Sequence, residues 1–212
     1  MTEPAEAATG WSELHHGIDP RASSVLWGWL RLMWTLARPL ARARVHPTVL
    51  TVLGVCCAVA AVWPTWTVRP WLALILILAS VTCDGLDGAL AVLTDRASAF
   101  GAAADKIADR FSDVCFVLVI WRCGAPTWLT LTAVLGVLAV EAFREAGGGA
   151  LLSTITVAER PSRAVCALLA CIAAAVSTAT WPAAVCAAVL VGLSLIALGQ
   201  LAASLRADAR AS

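Results

Sequence analysis

Charge is what this 212-residue chain has little of. Only 14% of its residues are Asp, Glu, Lys or Arg, against 60% hydrophobic. An average soluble domain carries roughly 25% charged residues. A soluble monomer with so few charges cannot cover its surface, which excludes an ordinary globular domain and a disordered chain. An excess of either sign is also lacking. Fifteen basic residues stand against fourteen acidic ones, a net charge of +1. That balance excludes a simple polybasic nucleic-acid binder. The eight cysteines contain no C-x-x-C pair, and nearly all lie inside apolar runs. They read as small core filler, not as a disulfide or metal framework. Internal repeats are absent, as are low-complexity tracts beyond Ala-rich helix. The first ten residues are acidic and small with no apolar run following at once, unlike a secretory signal peptide.

What is there is long apolar runs. A membrane-spanning helix needs about 20 mostly apolar residues. Six segments qualify, over roughly 48–67, 71–93, 99–121, 126–146, 162–179 and 182–204. Pro47, Pro70, Pro126, Pro161 and Pro182 stand near five of the starts, where a missing backbone N–H costs little. Residues 24–44 differ. Arg31, Thr35, Arg38 and Arg42 share one helical face, while Trp27, Leu30, Trp34 and Ala41 lie on others. This predicts an amphipathic helix lying in the membrane interface. The expected fold is therefore all-α and integral to the membrane, with six transmembrane helices preceded by an interfacial helix. The expected divisions are a polar leader (1–22), the interfacial helix (23–45), a six-helix membrane domain (46–206) and a short tail (207–212).

With the N-terminus in the cytoplasm, thirteen basic residues fall inside and only Arg69 and Arg122 outside. Such a bias predicts both termini cytoplasmic in an inner, cytoplasmic membrane. The ten tryptophans lie mostly near span ends, as an interfacial belt would.

Ionisable residues inside membrane helices are costly and mark functional sites. Asp84 and Asp87 are spaced i, i+3 at the end of the second span. Asp105 and Asp109 are spaced i, i+4 at the start of the third. Each spacing puts its pair on one helical face, and the short connection suits antiparallel neighbours. Four crowded carboxylates repel unless cations sit between them, and hard oxygen ligands select Mg²⁺ or Mn²⁺. A pair of such ions is the usual apparatus for displacement at phosphorus. Gly85, Gly88, Ala91 and Gly101 reduce bulk nearby, either to admit a ligand or to let helices pack closely. Other readings of the aspartates are an ion or proton pathway and a salt-bridge network with Lys106, Arg110 and Arg144.

The segment Asp84-x-x-Asp87-Gly88-x-x-Ala91, followed by Gly101-x3-Asp105-x3-Asp109, resembles the signature of the CDP-alcohol phosphotransferase family at every interval. One position departs: the family's Arg after the Ala is Val92 here, with Arg96 one turn later. His46 to Gly54 is similar to the family's P-N-x-x-T-x-x-G entry to its first span, with Thr48 in place of Asn. Glu159-Arg160-Pro161-Ser162-Arg163 resembles the E-R-x-x-R of several bacterial members.

The resemblance implies a phospholipid-synthesising transferase in which an acceptor hydroxyl attacks a phosphorus of CDP-diacylglycerol or another CDP-alcohol, and CMP leaves. Asp84, Asp87, Asp105 and Asp109 would hold two metal ions, and Asp109 would also be the general base. Gly88, Ala91, Gly101, Thr51 and Arg96 would line the nucleotide site. Arg144, Arg160, Arg163 and Lys106 would bind an anionic acceptor, such as inositol phosphate or glycerol phosphate. The resemblance also implies membrane lipid as a partner and a homodimer, and no nucleic acid is expected. Asp113 is expected to pair with Arg110 or Arg144, and Glu141 and Glu145 to buttress Arg144. The alternatives are a catalytically degenerate scaffold, motivated by Val92, and an ion-coupled transporter, which requires charges near the bilayer centre.

Overall fold

A computed structural model describes residues 24–63, 69–96, 99–148, 151 and 154–211. The expected leader, with His15 and His16, lies outside the described residues, as do 64–67 of the first expected span. The described residues are mostly helical, with no strand among them. They include α1 (Ser24–Arg42), α2 (Pro47–Val62), α3 (Pro70–Leu93), α4 (Ala99–Arg122), α5 (Thr127–Ala146), α6 (Arg160–Val176) and α7 (Trp181–Ala211). Helices α2 to α7 fall on the six expected apolar segments, α2 ending at Val62 and α6 at Val176, short of the expected 67 and 179, while α7 continues unbroken to Ala211.

Length and apolarity alone qualify three of them to cross a bilayer: Pro70–Leu93, Thr127–Ala146 and Trp181–Ala207. The other three fall short for separate reasons. Helix α2 has 16 residues and α6 has 17, below the roughly 20 typical of a span. Helix α4 has the length but carries Asp105, Lys106, Asp109, Arg110 and Asp113. Helices α1 and α2 together form an apolar pair bent by 120°.

The bend has a backbone cause. At the end of α1 the Val45 N–H reaches back to the Leu40 carbonyl and the Arg44 N–H to that of Ala41. Arg44 takes a left-handed conformation, φ 56°. That is the closing pattern in which two orphan carbonyls are satisfied and the chain turns away. The same pattern ends α3, with Arg96 N–H to Ala91, Asp95 N–H to Val92 and Asp95 at φ 51°. The Ser80 Oγ of α3 is buried without a hydrogen-bond partner among the described residues, but other hydroxyls are satisfied locally. Thr94, Thr130, Thr132 and Ser194 each donate to the carbonyl four residues earlier, which makes them cheap to bury.

The chain divides into two compact units. The first takes residues up to Cys56 together with Ala79–Asp109. Its core is built on α1, where Leu30, Met33, Trp34 and Ala37 recur at i, i+3, i+4 and i+7 and are buried with Leu50, Ala89 and Leu90. Removing each large side chain of that stripe from water is worth roughly 1.5–3 kcal/mol. Trp27 meets Trp34 edge to face, with centroids 5.8 Å apart. The opposite face of α1 exposes Arg31 and Thr35 beside Leu32 and Leu36. The face assignment read from the sequence therefore holds.

The second unit takes Cys57–Leu78 and Arg110–Ser212. Helix α7 packs against both α5 and α6. Val140, Leu151, Ala158, Ala197 and Leu201 form one core cluster. Gly136 lets α7 approach α5, because a Cβ there would stand 2.9 Å from the Ser194 Cβ. Cys83, Cys115, Cys166 and Cys171 are buried as core filler would be, whereas Cys57, Cys123 and Cys186 are half-buried and Cys56 is exposed.

Candidate active site

In the first unit, α2 lies against α3 at Gly54. A Cβ on Gly54 would stand 3.3 Å from the Cys83 Cβ and 3.4 Å from the Ser80 carbonyl oxygen. That close approach sets the next contact along. One turn earlier on α2, the Thr51 hydroxyl donates to Asp87 Oδ2 at 2.6 Å. Asp87 is the most enclosed of the four aspartates, only 5% exposed.

Asp84, Asp105 and Asp109 converge. One carboxylate oxygen from each lies within 4.8 Å of the other two, and all three residues are half-buried. A divalent cation bound at 2.0–2.6 Å holds its oxygen ligands no more than about 5 Å apart. Three hard carboxylate donors at this spacing therefore suit Mg²⁺, Mn²⁺ or Ca²⁺ better than a softer metal. Asp87 stands outside this trio, within electrostatic reach of Asp105 and Asp84, and is held by Thr51.

The glycines of the motif separate into two kinds. A Cβ on Gly85 would meet the Met33 Sδ at 2.9 Å and the Trp29 ring at 3.2 Å, so Gly85 serves the docking of α1. Beside Gly88 a Cβ would meet nothing within 4 Å. Gly88 opens space one residue from Asp87. Gly101 and Ala91 are half-buried, and Ala91 accepts the helix-closing N–H of Arg96 through its carbonyl. Arg96 itself is exposed, Val92 is half-buried and Lys106 is exposed.

In the second unit the expected acceptor arginines belong to one ion network. Arg163 is buried, 1% exposed. It donates through Nη1 to Asp113 Oδ2, and through Nη2 to Glu141 Oε1 at 2.7 Å and the Ala158 carbonyl at 2.9 Å. Arg160 Nε lies 4.0 Å from Asp113 Oδ1. Asp113 thus pairs with Arg163, not with Arg110 or Arg144 as expected, because it points from α4 toward the start of α6. Arg110 is 2.9 Å from Glu141 and 3.6 Å from Glu145. Glu145 therefore supports Arg110, where Arg144 was expected. Arg144 lies 3.8 Å from Glu141, and that part of the expectation holds.

Sequence reasoning missed Glu159 and Thr156. Arg144 grips Glu159 through both terminal nitrogens, at 2.6 and 3.3 Å, and also donates to the Thr156 hydroxyl at 2.9 Å. Glu159 accepts further from the Thr156 N–H and hydroxyl. Burial pushes the Glu159 carboxyl up. The Arg144 and Thr156 donors outweigh it and hold the group below the usual glutamate range. The available signal was the E of the E-R-P-S-R block, which sits at the N-cap of α6.

Comparison with known proteins gives the family. The model of the family described as CDP-alcohol phosphatidyltransferase matches residues 44–198. An archaetidylinositol phosphate synthase of Aeropyrum pernix is 31% identical over 118 residues, 55% of this chain and 60% of that protein. One of Pyrococcus horikoshii is 31% identical over 140 residues, 64% of this chain and 73% of that protein. A CDP-diacylglycerol–serine O-phosphatidyltransferase of Mycobacterium tuberculosis is 36% identical over 66 residues, 31% of this chain and 23% of that protein. The family match spans nearly three quarters of the residues and includes all four aspartates. The chain belongs to the CDP-alcohol phosphatidyltransferase family.

Proposed function

We propose that this protein transfers a phosphatidyl-type group from a CDP-linked lipid to the hydroxyl of a small phosphorylated polyol, releasing CMP at the inner face of a cytoplasmic membrane. The observation that carries the reading is the convergence of Asp84, Asp105 and Asp109 on motif positions of the family. Two hard divalent ions held by Asp84, Asp87, Asp105 and Asp109 would neutralise the donor diphosphate and the departing CMP. Asp109 takes the acceptor's hydroxyl proton as that oxygen bonds to the lipid-bearing phosphorus and the bond to CMP breaks. Thr51 is tied to Asp87, so its part is to orient that carboxylate. The open side of Gly88 is the place for the nucleotide, with Ala91, Gly101 and Arg96 around it.

Arg144 and Arg160 are the cations we assign to the acceptor's phosphate. Arg163 is spent on Asp113, Glu141 and Ala158, so we assign it to holding the network together. Inositol phosphate is the favoured acceptor, because two relatives are archaetidylinositol phosphate synthases. The serine-transferring relative is matched over a shorter stretch.

In the proposed topology α2 to α7 each cross the bilayer, with α1 in the cytoplasmic interface and both termini inside. Trp63, Trp71, Trp128 and Trp181, at helix ends that this topology puts outside, are each more than half exposed. They suit an interfacial belt.

The deciding assay incubates the purified protein with CDP-diacylglycerol, Mg²⁺ and inositol phosphate, glycerol phosphate or serine, and follows CMP release. Release with inositol phosphate, stopped by chelation and restored by Mg²⁺, is the expected result. No release with any acceptor, alongside a working control enzyme, would overturn the reading.

A further inference from the structure

Glu141 occupies an unusual place for a carboxylate. It is 5% exposed, on the last turns of α5. Its two oxygens divide their work. Oε1 accepts from buried Arg163 at 2.7 Å, and Oε2 faces Arg110 at 2.9 Å and Arg144 at 3.8 Å. Arg163 is in turn fixed by Asp113 and the Ala158 carbonyl. The side chain of Arg110 is 28% exposed and that of Arg144 14%, against 1% for Arg163. Glu141 therefore links a rigid interior anchor to Arg110, and lies beside Arg144, which Glu159 and Thr156 hold at 2.6 and 2.9 Å.

Arg110 has the looser second partner. Its contact with Glu145 is 3.6 Å long, and the Glu145 side chain is 53% exposed. An incoming phosphate can displace an exposed carboxylate at that distance far more easily than it can displace Glu141. Arg144 Nε is buried without a hydrogen-bond partner among the described residues. A planar guanidinium recognises phosphate well only when its orientation is fixed beforehand.

We propose that Glu141 is a positioning residue for acceptor binding: it ties Arg110 to buried Arg163 beside Arg144, so that the two guanidinium groups stand preorganised for the phosphate of a phosphorylated polyol. Arg110 thereby joins the acceptor site, with Glu145 as its exchangeable partner. The inference rests on the acceptor class proposed above. It adds how the arginines are held and which further arginine is used.

The test measures steady-state CMP release by the full-length protein in lipid nanodiscs, varying CDP-diacylglycerol and inositol phosphate separately. The wild-type protein is measured first. If it transfers only to uncharged acceptors, the acceptor reading fails, and this proposal with it. Given transfer to inositol phosphate, Glu141→Gln should raise the acceptor KM about tenfold or more, as losing a supporting group commonly does. The donor KM and kcat should stay within about twofold. Glu141→Asp keeps the charge and should give an intermediate acceptor KM. It carries the test if Glu141→Gln does not fold. Arg110→Ala combined with either folded Glu141 variant should raise the acceptor KM no further than the larger single change, since the two act as one unit. An unchanged acceptor KM in folded Glu141→Asp and Glu141→Gln overturns the proposal. So does a uniform loss of kcat and both affinities that tracks the folded fraction, which is the signature of a purely structural salt bridge.

Discussion

Asp84, Asp105 and Asp109 are half-buried, and Asp87 is buried and bonded to a hydroxyl. Four residues of one type thus have two environments. The trio presents oxygens to a common point, and Asp87 presents one of its oxygens to Thr51. Replacing Asp105 or Asp109 with Asn keeps the size and removes the charge that a hard cation requires. Each substitution should lower CMP release by at least about 100-fold while leaving the circular-dichroism spectrum intact. Wild-type turnover in both would remove these residues from the reaction. The aspartates were legible in the sequence because charges are scarce there and their spacing is helical. Their division into three and one was not legible, because it depends on how α2 lies against α3 at Gly54.

At the scale of the helix, α3 shows what sequence leaves open. Gly85 and Gly88 are equivalent as letters, and either could admit a ligand or a neighbouring helix. Only the placement of Met33 and Trp29 of α1 separates them. Gly85→Val should therefore cost about 1–3 kcal/mol through overpacking, read as a lower thermal midpoint in detergent. Gly88→Ala should leave the midpoint unchanged or raise it, since alanine favours helix by up to about 1 kcal/mol. Gly88→Leu should raise the KM for the CDP-lipid without lowering the midpoint. Equal effects on stability at both positions would refute the distinction. Helix existence and the buried stripe of α1 were readable from periodicity. How α1 and α3 are closed was not, because left-handed Arg44 and Asp95 stand where glycine is the usual signal.

For the whole molecule, two sets of charges stand out: the carboxylates of the first unit and the arginine–carboxylate network of the second. The pairs Asp113–Arg163 and Arg144–Glu159 join segments 50 and 15 residues apart, a separation that no local pattern reveals. Glu159 makes part of the second set sensitive to acid. Its folded-state carboxyl titrates below the usual glutamate range. Its stabilisation is therefore complete above that range and is lost as pH falls through the depressed value. Thermal midpoints measured from neutral pH downward should fall more steeply for the wild type than for Glu159→Gln, with the two curves converging at the acid end. Parallel curves would show that the pairing contributes nothing to stability.

The hydrogen bond from Thr51 to Asp87 also bears on how this sequence can vary. A helix turns about 100° per residue, so the contact at Gly54 and the bond at Thr51 together fix the rotation of α3 as well as its position. Inserting or deleting one residue between Ser80 and Asp87 would swing the carboxylates off their common point, even though every side chain needed for the chemistry would still be present. Substitutions can accumulate around the motif, as Val92 does, but changes of length inside it cannot. The fixed intervals of the motif are thus the phase of a helix written as residue counts.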